Sequence, residues 1–287
     1  MYMAGMDCLR KLIDYAKVNE LQSYLQSEKV LLRFARLVEE RKLDQWTVRD
    51  LQLLMQELGY DVTHYLKTLH DWSSRYEAVA RPWDAVRQED QPHPMIRRYA
   101  QAGFASTGRL LEIGCGSGAN ARFLSSRGAS VTAIDVARPA IENSQARALR
   151  EGSSCKFVCS NIFEFETPPA SFDAVLDCWC FHHIPIHLTP VFAERVARAL
   201  KPRGEFLLLC HSPHSTPPLA LTLGLTGALA KVIAYLVDAT CESVPSREEL
   251  REIYSPHFDI GAIELYHDAH VRFKGHYSYV THMRKKA

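Results

Sequence analysis

Arg109-Leu-Leu-Glu-Ile-Gly-Cys-Gly-Ser-Gly-Ala119 reads as an apolar strand ending at Ile113, a loop with glycine at positions 114, 116 and 118, and the start of a helix. Glycines there let the main chain take positive φ and let a ligand approach without meeting a Cβ. The helix that follows turns its unpaired N–H groups back on the same spot. The spacing is G-x-G-x-G and not the G-x-G-x-x-G of dinucleotide-binding loops. An acid, Glu112, stands two residues before the first glycine.

Outward from this loop the chain alternates strand and helix. Hydrophobic patterning predicts strands near 109–113, 130–135, 155–159, 173–178, 204–210, 258–266 and 276–283, with helices near 118–127, 138–149, 188–200 and 246–255. Alternation through the fifth strand implies an α/β fold with a doubly wound, mostly parallel, seven-stranded sheet of Rossmann-like type. The last two strands have no helix between them, which implies an antiparallel hairpin at the edge. Residues 1–70 read as an N-terminal helical extension, 71–108 as an entry segment, and 109–287 as the main domain with an apolar insertion at 212–245. Within the extension, Thr47 and Asp50 form a T-x-x-D helix start and Gly59 ends that helix. Val62, Tyr65, Leu66, Leu69, Trp72 and Tyr76 then continue at helical spacing.

The chain has 287 residues, 47% hydrophobic and 23% charged, with a formal net charge of +1. That balance supplies no pull on nucleic acid or an anionic membrane, so a small-molecule partner is expected and nucleic acid is not. Eight cysteines show neither a C-x-x-C pair nor disulfide-scaffold spacing, so reduced thiols in a cytoplasmic protein are expected. Charges interrupt the apolar residues of the N-terminus, so no signal peptide is expected there. Leu219–Val237 approaches membrane-spanning length but contains Gly224, Gly227 and Lys231. A lid-forming or buried helical insertion is expected there instead of a membrane span, with a homodimer interface as the alternative.

Three further stretches carry chemistry. Val131-Thr-Ala-Ile-Asp135 is a second buried strand ending in an acid, about twenty residues past the glycines. Asp135 has two readings: acceptor of ribose hydroxyls, or cap of the helix starting near Arg138. Cys155-Lys-Phe-Val-Cys-Ser-Asn-Ile-Phe163 is a third strand running into a polar turn, where Asn161 is either a ligand contact or a turn residue. Ser171-Phe-Asp-Ala-Val-Leu-Asp-Cys-Trp-Cys-Phe-His-His-Ile-Pro185 is the fourth strand and its loop. Its Asp177, Cys178, Trp179, His182 and His183 fall at the carboxyl edge, where open α/β sheets bind ligands.

These motifs, followed by the Leu200-Lys-Pro-Arg-Gly-Glu-Phe206 turn, resemble in order those of class I S-adenosylmethionine-dependent methyltransferases. The resemblance implies S-adenosyl-L-methionine as cofactor, cradled by Glu112, Gly114, Cys115, Gly116 and Gly118. Asp135 and Val136 would then meet the ribose, Asn161 and Ile162 the adenine, and Asp177 the region of the sulfonium methyl. Upstream, Trp72-Ser-Ser-Arg-Tyr76, Pro82-Trp-Asp84 and His93-Pro-Met-Ile96 resemble the entry of thiopurine S-methyltransferase-like and tellurite-resistance-type enzymes. In that group the entry segment folds over the cofactor, which implicates Trp72 and Tyr76, with Trp83 and Trp179 as further aromatic walls. The extension 1–65 and the insertion 212–245 depart from the pattern, so acceptor identity does not carry over.

Methyl transfer from a sulfonium is an in-line displacement that depends chiefly on placement. An oxygen acceptor also needs a base, whereas a thiol is often partly ionised already. His182, His183 and Asp177 are the candidate bases, with His211 and His214 in reserve. Cys178, Cys180, His182, His183, His187, His211 and His214 match no zinc-ligand spacing, so no metal is expected. The expected function is methylation of a small, apolar or bulky acceptor, with a thiol favoured. O-methylation of a secondary metabolite and a catalytically silent cofactor-binding partner are the alternatives.

Overall fold

The computed structural model describes residues 47–68, 72–73, 91–214, 243–267 and 277–287. The helices expected before Thr47, the aromatic residues Tyr76 and Trp83, and the apolar stretch 219–237 lie outside the described residues. In chain order the elements begin with helices α1 (Val48–Glu57), α2 (Val62–Thr68) and α3 (Pro94–Gln101). Strand β1 (Arg109–Ile113), α4 (Ala119–Ser126), β2 (Ser130–Asp135), α5 (Arg138–Glu151), β3 (Lys156–Cys159) and β4 (Phe172–Cys178) follow. Short 3-10 turns at Phe181–His183 and Ile186–Leu188 lead to α6 (Thr189–Ala199), then β5 (Leu200–His211), α7 (Arg247–Tyr254), β6 (Phe258–His267) and β7 (Tyr277–Lys285).

The chain divides into two compact units, one made of residues 71–181, 192–211 and 255–287, the other of residues 1–70, 182–191 and 212–254. The first holds a seven-stranded sheet in the order β3-β2-β1-β4-β5-β7-β6. Strands β1 to β5 run parallel, and β7 pairs antiparallel with both β5 and β6. This is the doubly wound sheet with a terminal hairpin that the alternation predicts. Leu110, Val131, Ala133, Phe157, Ala174, Leu176, Leu207, Leu209 and Val280 form a continuous buried cluster with Met95 and Ile96 of α3. Each of the larger side chains among these contributes about 1.5–3 kcal/mol when taken from water. The order reverses at β1, which lies between β2 and β4. Ligands of open α/β sheets bind in the crevice at such a switch point.

The turn expected at Leu200–Gly204 is instead the first part of β5, and this is a correction to the sequence reading. Leu200 pairs with Phe172, the register shifts before Ala174 pairs with Glu205, and Arg203 absorbs the extra length at φ 64°. A bulge of this kind adds residues to one strand without ending the ladder, and periodicity alone does not register it.

The described regular elements assigned wholly to the other unit are helices. Thr47 Oγ1 accepts from the Asp50 N–H at 3.1 Å and the Asp50 carboxylate accepts from the Thr47 N–H at 3.1 Å, closing the expected capping box. At the far end Gly59 sits at φ 84°, and the Tyr60 N–H donates to the Met55 carbonyl at 2.8 Å, a Schellman ending. Ser246 and Glu249 build a second capping box before α7, and the Val48 N–H donates to the Glu252 carboxylate of α7. Among the described residues no helix is long and apolar enough to cross a membrane.

Candidate functional site

The glycine loop takes the conformation that its composition requires. Gly114, Gly116 and Gly118 all lie at positive φ, at 65°, 52° and 72°. A Cβ at Gly114 would stand within 2.7 Å of Cys180 Sγ, and one at Gly118 within 2.6 Å of the Phe157 ring. Both strain and space therefore exclude larger residues. The loop is tied to the sheet by the Cys115 N–H, which donates to the Ile134 carbonyl at 3.0 Å. Ser144 of α5 donates to the Gly116 carbonyl at 3.0 Å, and Arg122 donates to the Ser117 carbonyl at 2.7 Å.

Three buried carboxyl groups surround this loop from three adjacent strands. Asp135 at the end of β2 accepts from the Gly116 N–H at 2.8 Å through Oδ2 and from the Ala137 N–H at 2.9 Å through Oδ1. It thus binds the glycine loop to the turn entering α5. Burial pushes its carboxyl up, and the main-chain bonds pull it back. Glu112 accepts from Asn120 Nδ2 at 3.1 Å through Oε1, while its buried Oε2 has no hydrogen-bond partner. Burial pushes its carboxyl up to about 8, with Asp135 and Asp177 adding to the rise. Asp177 at the end of β4 accepts the N–H groups of Cys180 and Phe181 at 2.9 and 3.1 Å, both on Oδ1. Its buried Oδ2 is likewise unpartnered, and burial pushes the group up to about 7.

Asn161 accepts from the Phe163 N–H at 3.0 Å through Oδ1, so the turn-forming role is visible in its geometry. Ile162 beside it is buried. Val136 follows Asp135, and its carbonyl receives the Cys159 thiol at 3.6 Å. Trp72 packs on Ala137 and Ala140, which places an entry-segment aromatic against the turn that Asp135 holds. Burial pushes the Cys115 and Cys180 thiols well above the ordinary thiol range. The six described cysteines are all free thiols.

His182 and His183 belong to the helical unit, where their rings lie 4.1 Å apart. His182 is buried, and its carbonyl accepts from the Ser243 N–H at 2.8 Å. His187 is buried too; burial pushes it down to about 3, against a hydrogen bond with the Tyr60 main chain. It is a neutral core residue of that unit. Among the described residues no three His, Cys, Asp or Glu side chains converge where they could hold a metal ion.

Sequence reasoning missed the polar chain behind Glu112. The His93 N–H donates to Asn120 Oδ1 at 2.8 Å, and Asn120 passes the connection on to Glu112. His93 also caps α3 through Nδ1, which accepts the Met95 N–H at 3.1 Å. The available signal was an asparagine directly after the glycine loop, on a helix face that the sheet must cover.

A family model described as a methyltransferase domain matches residues 110–204, the span from the glycine loop to the β5 bulge. Residues 110–204 are therefore similar to a methyltransferase domain. The chain is 30% identical over 140 residues to probable thiol methyltransferase 2 of Arabidopsis thaliana, a match covering 48% of this chain and 60% of that one. It is 28% identical over 162 residues to the 2-heptyl-1-hydroxyquinolin-4(1H)-one methyltransferase of Mycobacteroides abscessus, covering 55% and 70%. Its fold is that of the Burkholderia thailandensis 1,6-didemethyltoxoflavin-N1-methyltransferase, with a TM-score of 0.58 at 21% identity over 78% of this chain and 90% of that one. The residues of this span fit S-adenosylmethionine. Two buried carboxyl oxygens that no described group of the chain satisfies call for donors or positive charge, and the glycine loop beside them carries no side chains at Gly114, Gly116 and Gly118.

Proposed function

We propose that the protein transfers the methyl group of S-adenosylmethionine to a small acceptor, with a thiol as the favoured nucleophile. The observation that carries this reading is the trio Glu112, Asp135 and Asp177 around an intact glycine loop, with Glu112 Oε2 and Asp177 Oδ2 unpartnered. Buried acids of this kind suit a ligand that brings ammonium and sulfonium charge. When bound, the cofactor supplies an electrophilic methyl group on a positively charged sulfur.

The chain's own residues bind and orient. Asp135 holds the glycine loop against β2 and accepts ribose hydroxyls on its remaining lone pairs. Gly114, Gly116 and Gly118 keep side chains out of the loop, and Trp72 covers the turn beyond Asp135. Asn161 and Ile162 would flank the adenine. Asp177 fixes the loop after β4 through Oδ1, which leaves Oδ2 without a partner in the chain. With its carboxyl near 7, it is matched to accept a proton at neutral pH. As an acceptor thiol is methylated, its proton would leave to Asp177 or to water. His182 and His183 remain candidate bases on sequence position, and pH–rate profiles of H182Q and H183Q test them.

Thiol preference is supported by the similarity to the Arabidopsis protein and by the entry-segment motif. An oxygen acceptor is the second reading, favoured by similarity to the Mycobacteroides enzyme, whose named substrate carries a hydroxyl. Formation of S-adenosylhomocysteine with a panel of thiols, phenols, amines and carboxylates tests both. Turnover confined to thiols supports the first reading. Turnover confined to hydroxyl compounds replaces it with the second.

A further inference from the structure

We propose that Asn120 is a positioning residue for cofactor binding: its amide ties the Glu112 carboxyl to the start of α3 and sets the pH range in which S-adenosylmethionine binds tightly. This rests on the cofactor reading above and assigns that site a further residue.

Asn120 is the second residue of α4, directly behind the glycine loop, and it is buried. An asparagine in a first turn can bond its own main chain. This one reaches outward on both sides. Oδ1 accepts the His93 N–H at 2.8 Å, and Nδ2 donates to Glu112 Oε1 at 3.1 Å. His93 is the N-cap of α3, and its Nδ1 accepts the Met95 N–H. The end of β1, the first turn of α4 and the start of α3 therefore meet on one amide. The two bonds together need a side chain with both a donor and an acceptor; an aspartate keeps the first bond alone and a leucine neither.

The chemistry lies at the Glu112 end. Glu112 is wholly buried, and the Asn120 amide is its one side-chain donor among the described residues. Asp135 of β2 and Asp177 of β4 face it with like charge, and the Cys115 and Cys155 thiols feel its field. The Asn120 amide and the Ala121 main chain act the other way, favouring the ionised form. Burial prevails, so Glu112 keeps its proton at neutral pH in the ligand-free chain. S-adenosylmethionine and its product both carry an ammonium group, which favours the ionised carboxylate. In buried surroundings that pull acts over several ångströms and needs no contact. Asn120 eases the ionisation, so removing its amide moves the step to higher pH and weakens binding below it.

Affinity of the full chain for S-adenosylhomocysteine is measured by calorimetry from pH 6.5 to 9 in the wild type, Asn120→Leu and Asn120→Asp. The ligand's own amine titrates alike in all three, so the ratio of wild-type to variant affinity isolates the protein. Asn120→Leu is expected to bind about tenfold more weakly near pH 7 and only about twofold more weakly near pH 9, as when a carboxyl ionises about one pH unit higher. Asn120→Asp keeps an acceptor for the His93 N–H but sets a second acid beside Glu112, so its loss near pH 7 is at least as large. Hydrogen exchange at the His93 amide is expected to quicken in Asn120→Leu and to stay unchanged in Asn120→Asp. A ratio constant across pH in both variants, or an affinity that neither alters, overturns the proposal and leaves Asn120 a packing residue. Exchange unchanged in Asn120→Leu overturns the tie to α3. A wild type that does not bind S-adenosylhomocysteine overturns instead the cofactor reading beneath it.

Discussion

Asp173 and Asp177 stand four residues apart on β4, and their surroundings drive them in opposite directions. Asp173, at the entry end, accepts the Arg109 N–H at 2.8 Å and pairs with the Lys201 ammonium at 2.6 Å. The bond from Arg109 and that from Lys201 hold its carboxyl below the usual range. Asp177, at the exit end, also receives two hydrogen bonds, but burial outweighs them and lifts it to about 7. The difference is one of solvent and of unspent capacity. Asp173 is partly in water and both its oxygens are engaged, so it braces strands. Asp177 is wholly buried with one oxygen that no described group of the chain satisfies.

The largest expected effect is at the exit end. Asp135→Ala leaves the Gly116 and Ala137 N–H groups without their acceptor. Affinity for S-adenosylhomocysteine measured by calorimetry should fall about a hundredfold, the equivalent of about 2.7 kcal/mol. Retained affinity would mean that the glycine loop holds its shape without β2.

Next comes the pH dependence of ligand-free stability. Glu112 rises from 4.5 to about 8 and Asp177 from 3.8 to about 7 on folding, so the folded state holds protons that the unfolded chain has released. Stability from these groups is therefore present at low pH and lost as pH rises through that window. Thermal melting from pH 5 to 8.5 should show the decline, and Glu112→Gln should flatten it. A melting temperature that rises over this range would contradict the assignment.

Asp177→Asn preserves an acceptor for the Cys180 and Phe181 amides and removes the titrating proton. The rise of kcat near pH 7 should disappear while the fold remains, with kcat lower by about tenfold. An unchanged profile would move the base elsewhere. Asp173→Asn, at the entry end, should cost at most about 1 kcal/mol and leave cofactor affinity alone, since a half-exposed ion pair is worth little. A large loss of affinity there would erase the contrast between the two ends of β4.

Much of this was legible in the chain. Alternating apolar runs predicted all seven strands, because strand burial leaves a local signature. The alternate glycines predicted three positive φ values, because no other residue adopts them so readily. The bulge at Arg203 was not legible, since the residues on either side of it, Leu200 and Glu205, pair with Phe172 and Ala174 of another strand. Nor was the role of Asn120, which depends on His93 and Glu112 approaching it from opposite directions in the sequence. Asn161 was read two ways, and its bond to Phe163 shows a turn that local spacing alone could not separate from ligand binding.

The sequence by itself determined the sheet, its hairpin edge, the glycine loop and the acids that end β1, β2 and β4. Those follow from periodicity and from residues whose backbone preferences are strong and local. Tertiary structure alone decided which carboxyl oxygens were satisfied, which way each acid was pushed, and that Trp179 meets Ser278 across 99 residues. Burial and hydrogen bonding depend on what other strands and helices bring to the same place, and no stretch of chain carries that information alone.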